Sequence, residues 1–438
     1  MAAVSATLAA AAALTGSGAA TASHSRSGGH AHTGSPIRIQ PGVHAGKTTP
    51  SAPKNGLAPA QVAAAYDLGP LRHLGITGKG QTIVIVDSFG SPTIAADLKY
   101  FDNHFKLPAP PSFRVIQPAG QVPPFHAGNS NRVGWAQETT LDVEWAHVIA
   151  PGARILLVET PTSENEGTTG FPQIVTAENY VLRHKLGQVI SQSFAATEQT
   201  FPSRSSLLAL RGAYKLAARD HVTVLAATGD EGATSYKYNM QDLYTSRAVS
   251  WPATDPLVTA VGGTQLALRA DGSRRSHDVA WANGGGGTSI DFGRPAYQRG
   301  VRALTGSARG VPDISMDASC GSAVAIYTSF SGGQWNPICG TSLATPLFAG
   351  IVALADQYAG HGKPHSLGLI NPAIYAIAAR HERGVVDIRS GNNTQRFSQG
   401  GKQYTVKGFA ARPGYDLVTG VGTIDAAYFV PELAKLAG

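Results

Sequence analysis

The sequence predicts an α/β protein built on a mostly parallel central sheet with helices on both faces. Residues 81–87, Gln-Thr-Ile-Val-Ile-Val-Asp, form a β-branched apolar run of the kind that makes a strand covered on both sides. After it, helix-like and strand-like stretches alternate, which is the pattern of parallel strands joined by crossover helices. No internal repeat and no Pro/Gly-rich break divides residues 57–438, so they are expected to form one large domain.

In chain order, a short helix is predicted over 59–66, then the strand over 81–87. Further helices are predicted over 94–105, 135–149, 172–184, 205–219, 342–358 and 370–379. Strands are predicted over 154–159, 189–193, 222–227, 257–261 and 323–327. In such sheets the chemistry collects at the carboxyl ends of the strands.

Composition narrows the class. Hydrophobic residues make up 42% of the 438, and only 14% are charged, against a typical value of roughly a quarter. A surface poor in carboxylates loses less stability in acid. The formal charge of +7 carries no Lys/Arg block interleaved with aromatics, which excludes a nucleic-acid-binding stripe. Residues 1–22 read as an export signal: a small and apolar run ends in Ala20-Thr21-Ala22, an A-x-A-like cleavage site, although no Lys or Arg follows Met1. Residues 23–56 are rich in Gly, His, Pro, Ser and Thr with no Asp or Glu, and are expected to be a disordered linker or tail. No other window is apolar enough to span a bilayer, so the expectation is a secreted, extracellular protein with no membrane association in its mature form. Cys320 and Cys339 are the only cysteines, and in an oxidising compartment they most simply form one disulfide. It would contribute roughly 3 kcal/mol on chain-entropy grounds and brace the turn before Ser342.

Three segments carry chemistry. Gly340-Thr341-Ser342-Leu343-Ala344-Thr345-Pro346 leads into an apolar helix, and this places Ser342 at a helix N-terminus with its hydroxyl exposed among outward-pointing N–H groups. A capping role is the plain alternative for such a Ser. In the 135–149 helix, Glu138 and Asp142 are four residues apart and share a face, with Trp145 close to that face. Two carboxylates held there in apolar surroundings would share a proton. Gly229-Asp230 ends the 222–227 strand, where a protonated Asp is able to donate to a developing oxyanion.

Taken together, these segments give the chain a close resemblance to the sedolisins, serine-carboxyl peptidases of subtilisin-like fold. The resemblance runs from Leu57 to the C-terminus. It also takes in Ala150-Pro151-Gly152-Ala153, Ser191-Gln192-Ser193 with Glu198, Pro252 through Val261-Gly262-Gly263-Thr264, Gly284 to Ser289, and Pro312-Asp313-Ile314-Ser315. It implies Ser342 as nucleophile, Glu138 as general base, Asp142 as the group that orients and shares a proton with Glu138, and Asp230 as oxyanion donor. Peptide hydrolysis peaking in acid is then expected, with protein or peptide substrates and a monomeric enzyme. The resemblance also implies one bound calcium ion, with side-chain ligands Asp387 and Asp416 and the carbonyls of Ile388, Arg412 and Gly414. Arg412 stands where that family usually has Gly.

Two rivals are set beside this reading. A conventional subtilisin would need a His base after Asp87, and His104, His126 and His147 lack the His-Gly-Thr-like context, so Asp87 reads as the end of a core strand. A secreted binding protein that keeps the peptidase fold without catalysis is the other. Glu198, Trp135 and residues 284–288 are expected to border the cleft. Sedolisins commonly carry a long folded prosegment, and residues 23–56 are too short and polar for one.

Overall fold

Alternating apolar runs and amphipathic helices assemble as the pattern predicts. The computed structural model describes residues 56–269, 271–330 and 332–437, which fall in one compact unit. The export signal and nearly all of the linker lie outside these residues. Gly56 does not belong to the linker: at φ +92° it is buried, and a Cβ on it would stand 2.5 Å from the Val324 carbonyl carbon. Leu57 then pairs with the backbone of Ala323 and Ala325 at 2.7 and 3.1 Å.

The principal elements are α1 (Pro59–Ala65), β1 (Thr82–Ser88), α2 (Ile94–Phe105), β2 (Phe113–Ile116), α3 (Ser130–Ile149), β3 (Arg154–Thr160), α4 (Phe171–Arg183), β4 (Val189–Gln192), α5 (Arg204–Ala209) and α6 (Gly212–Arg219). They continue with β5 (Thr223–Ala227), β6 (Thr259–Gln265), β7 (Ile314–Asp317), β8 (Val324–Thr328), β9 (Gln334–Ile338), α7 (Thr341–Ala359), α8 (Asn371–Ala379) and α9 (Ala426–Ala437). Seven strands make a parallel sheet in the order β7-β6-β5-β4-β1-β3-β2, and Val279–Ala280 adds a short antiparallel edge to β6. Alternate residues of β1 and β3 serve opposite layers. Ile83, Ile85, Ile155 and Leu157 join the core beneath α3 and α7, while Val84, Val86, Leu156 and Val158 join the core beneath α4 and α6.

Two expectations need correction. The strand predicted over 323–327 is outside the central sheet: β8 pairs antiparallel with β9, Val324 opposite Ile338, because Gly332 and Gly333 at φ +101° and +73° turn the chain straight back. The single helix predicted over 205–219 is two, broken between Ala209 and Gly212. Strands β2, β7 and β9 and helix α9 carried no expectation.

Helix α7 runs through the middle of one layer, buried from Thr341 to Gln357. It lies against α3 at close range because Gly350 has no side chain; a Cβ there would be 2.5 Å from Ile149 Cβ. Cys320 and Cys339 are bonded as expected, and Gly340 N donates to Ala318 O at 2.8 Å, so the chain entering α7 is tied at two points. Among the described residues no helix is long and apolar enough to cross a membrane.

Candidate active site

Ser342 is the second residue of α7, where the first-turn N–H groups have no helical acceptor. Pro346 lies one turn further in and has no N–H, so the Ser342 carbonyl loses its helical donor. The Ser193 hydroxyl lies 3.2 Å from Ser342 O and 2.9 Å from Asp142 Oδ1, and its one hydrogen serves one of these acceptors at a time. The serine loop and the acidic helix thus share one residue from the end of β4.

Glu138 and Asp142 stack on the face of α3 turned toward α7, 2% and 0% exposed. Burial raises both carboxyls well above their usual range, and each is raised further by neighbouring carboxylates. The Ser342 hydroxyl pulls Glu138 the other way, near enough to favour its ionised form but short of a fully formed hydrogen bond. Trp145 does not join this face; its Nε1–H donates to Ala325 O at 3.0 Å and its ring meets Phe101.

Asp230 follows β5 and is 2% exposed. Its Oδ1 accepts from Thr341 N and lies 2.8 Å from Thr341 Oγ1. Gly340 sits beside it at φ +134°, and a Cβ there would stand 2.7 Å from Asp230 Oδ2 and 3.6 Å from Ser342 N. A methyl group would fill the space that both reach. Residues 284–288 do pack on this turn: Gly285 N donates to Gly229 O at 2.8 Å, and a Cβ on Gly285 would be 2.1 Å from Thr228 O. Glu198 is an internal brace that accepts from Ser289 Oγ and Ile290 N. Trp135 is buried, its Nε1–H donating to Ser163 Oγ at 3.1 Å.

The structure therefore brings Ser342, Glu138, Asp142 and Asp230 into one buried cluster, and adds Asp87 to it. Asp87 is the penultimate residue of β1, yet its charge is the neighbour that acts most strongly on both Glu138 and Asp142, and burial pushes its own carboxyl up to about 7. An Asp closing an otherwise apolar strand was the signal for it. The histidines are engaged elsewhere: His147 Nε2 meets Pro108 O at 2.8 Å and Asp102 at 3.3 Å, and His104 packs on Phe105 and Trp335. His126 is exposed in the loop before α3.

Asp387 and Asp416 flank the loop 412–416. Asp387 accepts from Gly414 N and from Arg389 Nε at 2.8 Å; Asp416 accepts from Arg412 N, Val418 N and Thr419 N. Asp387 lies on the segment after α8 and Asp416 on the loop 412–416; both already accept from backbone N–H groups, Arg389 sits on Asp387, and among the described residues no group of three or more His, Cys, Asp or Glu side chains that could hold a metal ion is gathered.

The fold is the subtilisin-like α/β architecture, and among the described residues the ionisable groups gathered round Ser342 are carboxyls. The sequence profile of the subtilase family matches residues 127–400, and the chain belongs to that family, in its sedolisin branch. It is 31% identical over 385 residues to kumamolisin of Bacillus sp. (strain MN-32), covering 85% of this chain and 63% of that protein. To sedolisin of Pseudomonas sp. (strain 101) it is 29% identical over 394 residues, 87% of this chain and 62% of that protein. The chain thus spans a little over six-tenths of the length of these relatives. The solved structure of Pseudomonas sedolisin (serine-carboxyl proteinase) complexed with two molecules of pseudo-iodotyrostatin superimposes with a TM-score of 0.70 at 26% identity, covering 88% of this chain and 99% of that one.

Proposed function

We propose that this protein is a secreted serine-carboxyl peptidase that hydrolyses peptide bonds in acid. The observation that carries the reading is the Ser342 hydroxyl set against the Glu138 carboxyl, with Asp230 at its side and no imidazole in contact among the described residues. Ser342 Oγ attacks the scissile carbonyl carbon while Glu138 takes its proton. The negative charge that develops on the carbonyl oxygen meets the Ser342 N–H and the protonated carboxyl of Asp230. Glu138 then passes its proton to the departing amine nitrogen, and water repeats the sequence on the acyl group with Glu138 again as base.

Acid suits this arrangement. Asp87, Glu138 and Asp142 repel one another when ionised, so the cluster keeps protons that isolated carboxyls would release. Each of the three has one hydroxyl that favours its ionised form, Thr139 on Asp87, Ser342 on Glu138 and Ser193 on Asp142; Glu138 is the one whose hydroxyl neighbour is Ser342, and so the one that serves as base. Asp230 is an oxyanion donor only while protonated, and the medium must be acidic enough to keep it so.

Calcium belongs to the same proposal, held by Asp387 and Asp416 with carbonyls of Ile388, Arg412 and Gly414, as a brace that takes no part in the chemistry. The proposed substrates are proteins or peptides, as the description of the Pseudomonas sedolisin structure as a serine-carboxyl proteinase suggests.

Hydrolysis of a denatured protein at about pH 4, wild type against Ser342→Ala, tests the reading. The variant should retain no more than about 10⁻⁵ of the wild-type rate. Equal rates, or none in either, would favour a binding protein on a peptidase fold.

A further inference from the structure

We propose that Ser193 is a positioning residue whose one hydroxyl hydrogen is contested between Asp142 and the Ser342 carbonyl, so that the backbone of the nucleophile responds to the charge on Asp142. This inference rests on the reading of Ser342 as nucleophile and of Asp142 as the partner of Glu138.

Hydrogens are scarce at this point of the site. Ser193 follows β4 directly and is fully buried, and its Oγ lies 2.9 Å from Asp142 Oδ1 and 3.2 Å from Ser342 O. The Ser342 carbonyl can only accept; its helical donor would be the N–H of residue 346, and that residue is Pro. An ionised Asp142 can only accept as well. Two contacts then share one hydrogen, and one of them is not a hydrogen bond. A protonated Asp142 changes the count, because its O–H can donate to a lone pair of Ser193 Oγ while the serine hydrogen goes to Ser342 O. Both contacts are hydrogen bonds at once only when Asp142 supplies a hydrogen of its own.

The contact that is lost on ionisation is the weaker one. A hydroxyl that donates to a carboxylate makes a bond roughly twice as strong as one to a neutral carbonyl, and the contact to Asp142 is also the shorter of the two. The hydrogen therefore turns to Asp142, and the Ser342 carbonyl is left buried without that donor. This carbonyl belongs to the first turn of α7, whose placement sets both the hydroxyl and the N–H of Ser342. Among the described residues, the charged groups that act on Asp142 are Glu138 on its own helix and Asp87 on β1, both carboxyls; the end of β4 contributes the Ser193 hydroxyl, and no titratable group of α7 acts on it. With no cation among these groups, acid keeps Asp142 neutral and the hydrogen bonds from Asp142 through Ser193 to Ser342 complete. Rising pH breaks them at the Ser342 end.

The test compares Ser193→Thr with Ser193→Val in the full-length protein, since these two side chains share a shape and differ in the hydroxyl. Hydrolysis of an internally quenched peptide is followed from about pH 3 to about pH 7. At the acid end kcat of the Thr variant should exceed that of the Val variant by about 10-fold to 30-fold, with KM values within about 2-fold of each other. That ratio should shrink toward one across the alkaline limb. The Thr variant loses the Ser342 contact as Asp142 ionises, and the Val variant, without the hydroxyl that favours the carboxylate, keeps its proton to higher pH. In an Asp142→Asn background the side chain carries no charge at any pH, so the ratio should hold one value across the profile. Ser193→Ala, which adds no methyl group, should show the same narrowing against wild type. Equal kcat in the Thr and Val variants, a ratio that ignores pH while Asp142 is present, or a loss confined to KM would overturn the assignment. If wild type cleaves the peptide and Ser342→Ala does not, those outcomes sink this inference alone; an inactive wild type sinks the proposed function and this inference with it.

Discussion

Two groups of buried carboxyls in this molecule are treated in opposite ways. Asp313, fully buried beneath the sheet edge, is met by the guanidinium of Arg309 through both oxygens and by Asn371 Nδ2, Tyr375 OH and the Ala260 N–H. Asp87, Glu138 and Asp142 are as deeply buried, yet no cation touches them among the described residues. A charge with a matched cation and a full set of donors stays ionised and holds structure together. Carboxyls deprived of a cation hold protons instead, and protons that can be handed over are what catalysis uses.

Two substitutions should separate these uses. Asp142→Asn keeps the shape and the contact to Ser193, so the fold should survive with its melting temperature in acid nearly unchanged while kcat falls about 10³-fold to 10⁴-fold. Asp313→Asn should do the reverse. It strands a buried guanidinium and should cost about 3–5 kcal/mol in denaturant titration, with kcat of the remaining folded protein close to wild type. Exchange of the two outcomes would erase the distinction.

How much of this was legible in the sequence follows from the range of the forces involved. Ser342, Glu138, Asp142 and Asp230 each sit in a local pattern: a helix start, an i to i+4 pair, a Gly-Asp turn at a strand end. Asp87 and Ser193 reach the site only through sheet register and helix packing, with strands β1 and β4 lying side by side, and no local signal ties them to residues dozens of positions away. Strand β2 was missed because it lies at the sheet edge with Arg114 and Val115 in solvent, and so lacks an apolar run. Strand β7, Ile-Ser-Met-Asp, is buried through all four residues, and its polar side chains bond internally, Ser315 Oγ to Thr419 O and Asp317 to Ser322. Its polarity reads as surface when taken alone.

The cation-free carboxyls have a smaller consequence that extends beyond the site. Burial raises Glu178 to about 8 and Glu166 to about 7, above their values in the unfolded chain. A group raised in the folded state contributes stability that is whole below its unfolded pKa and is lost as pH rises through the folded one. The melting temperature should therefore fall between about pH 4.5 and about pH 8, each such group contributing at most about 1.4 kcal/mol per pH unit. Glu178→Gln should make that fall shallower by one group's share, as measured by thermal melts across the range. A melting temperature that climbs toward neutrality would contradict the assignment.

The smallest effect is expected at the loop 412–416. Calcium should raise the melting temperature by a few degrees over the chelated protein, with no change in kcat at saturating substrate. Arg389→Gln, which removes the competing guanidinium from Asp387, should lower the calcium concentration needed. No response to calcium in either protein would leave Arg389 as the resident cation.

The central claim is that a carboxylate takes the proton of Ser342. The most direct measurement is the rate of peptide hydrolysis as a function of pH, wild type against Glu138→Gln. The account predicts a wild-type maximum in acid, little activity at neutrality, and a loss of about 10⁴-fold in the variant at every pH. A wild-type maximum above about pH 7, or a variant that keeps the wild-type profile, would mean that some other base does the work.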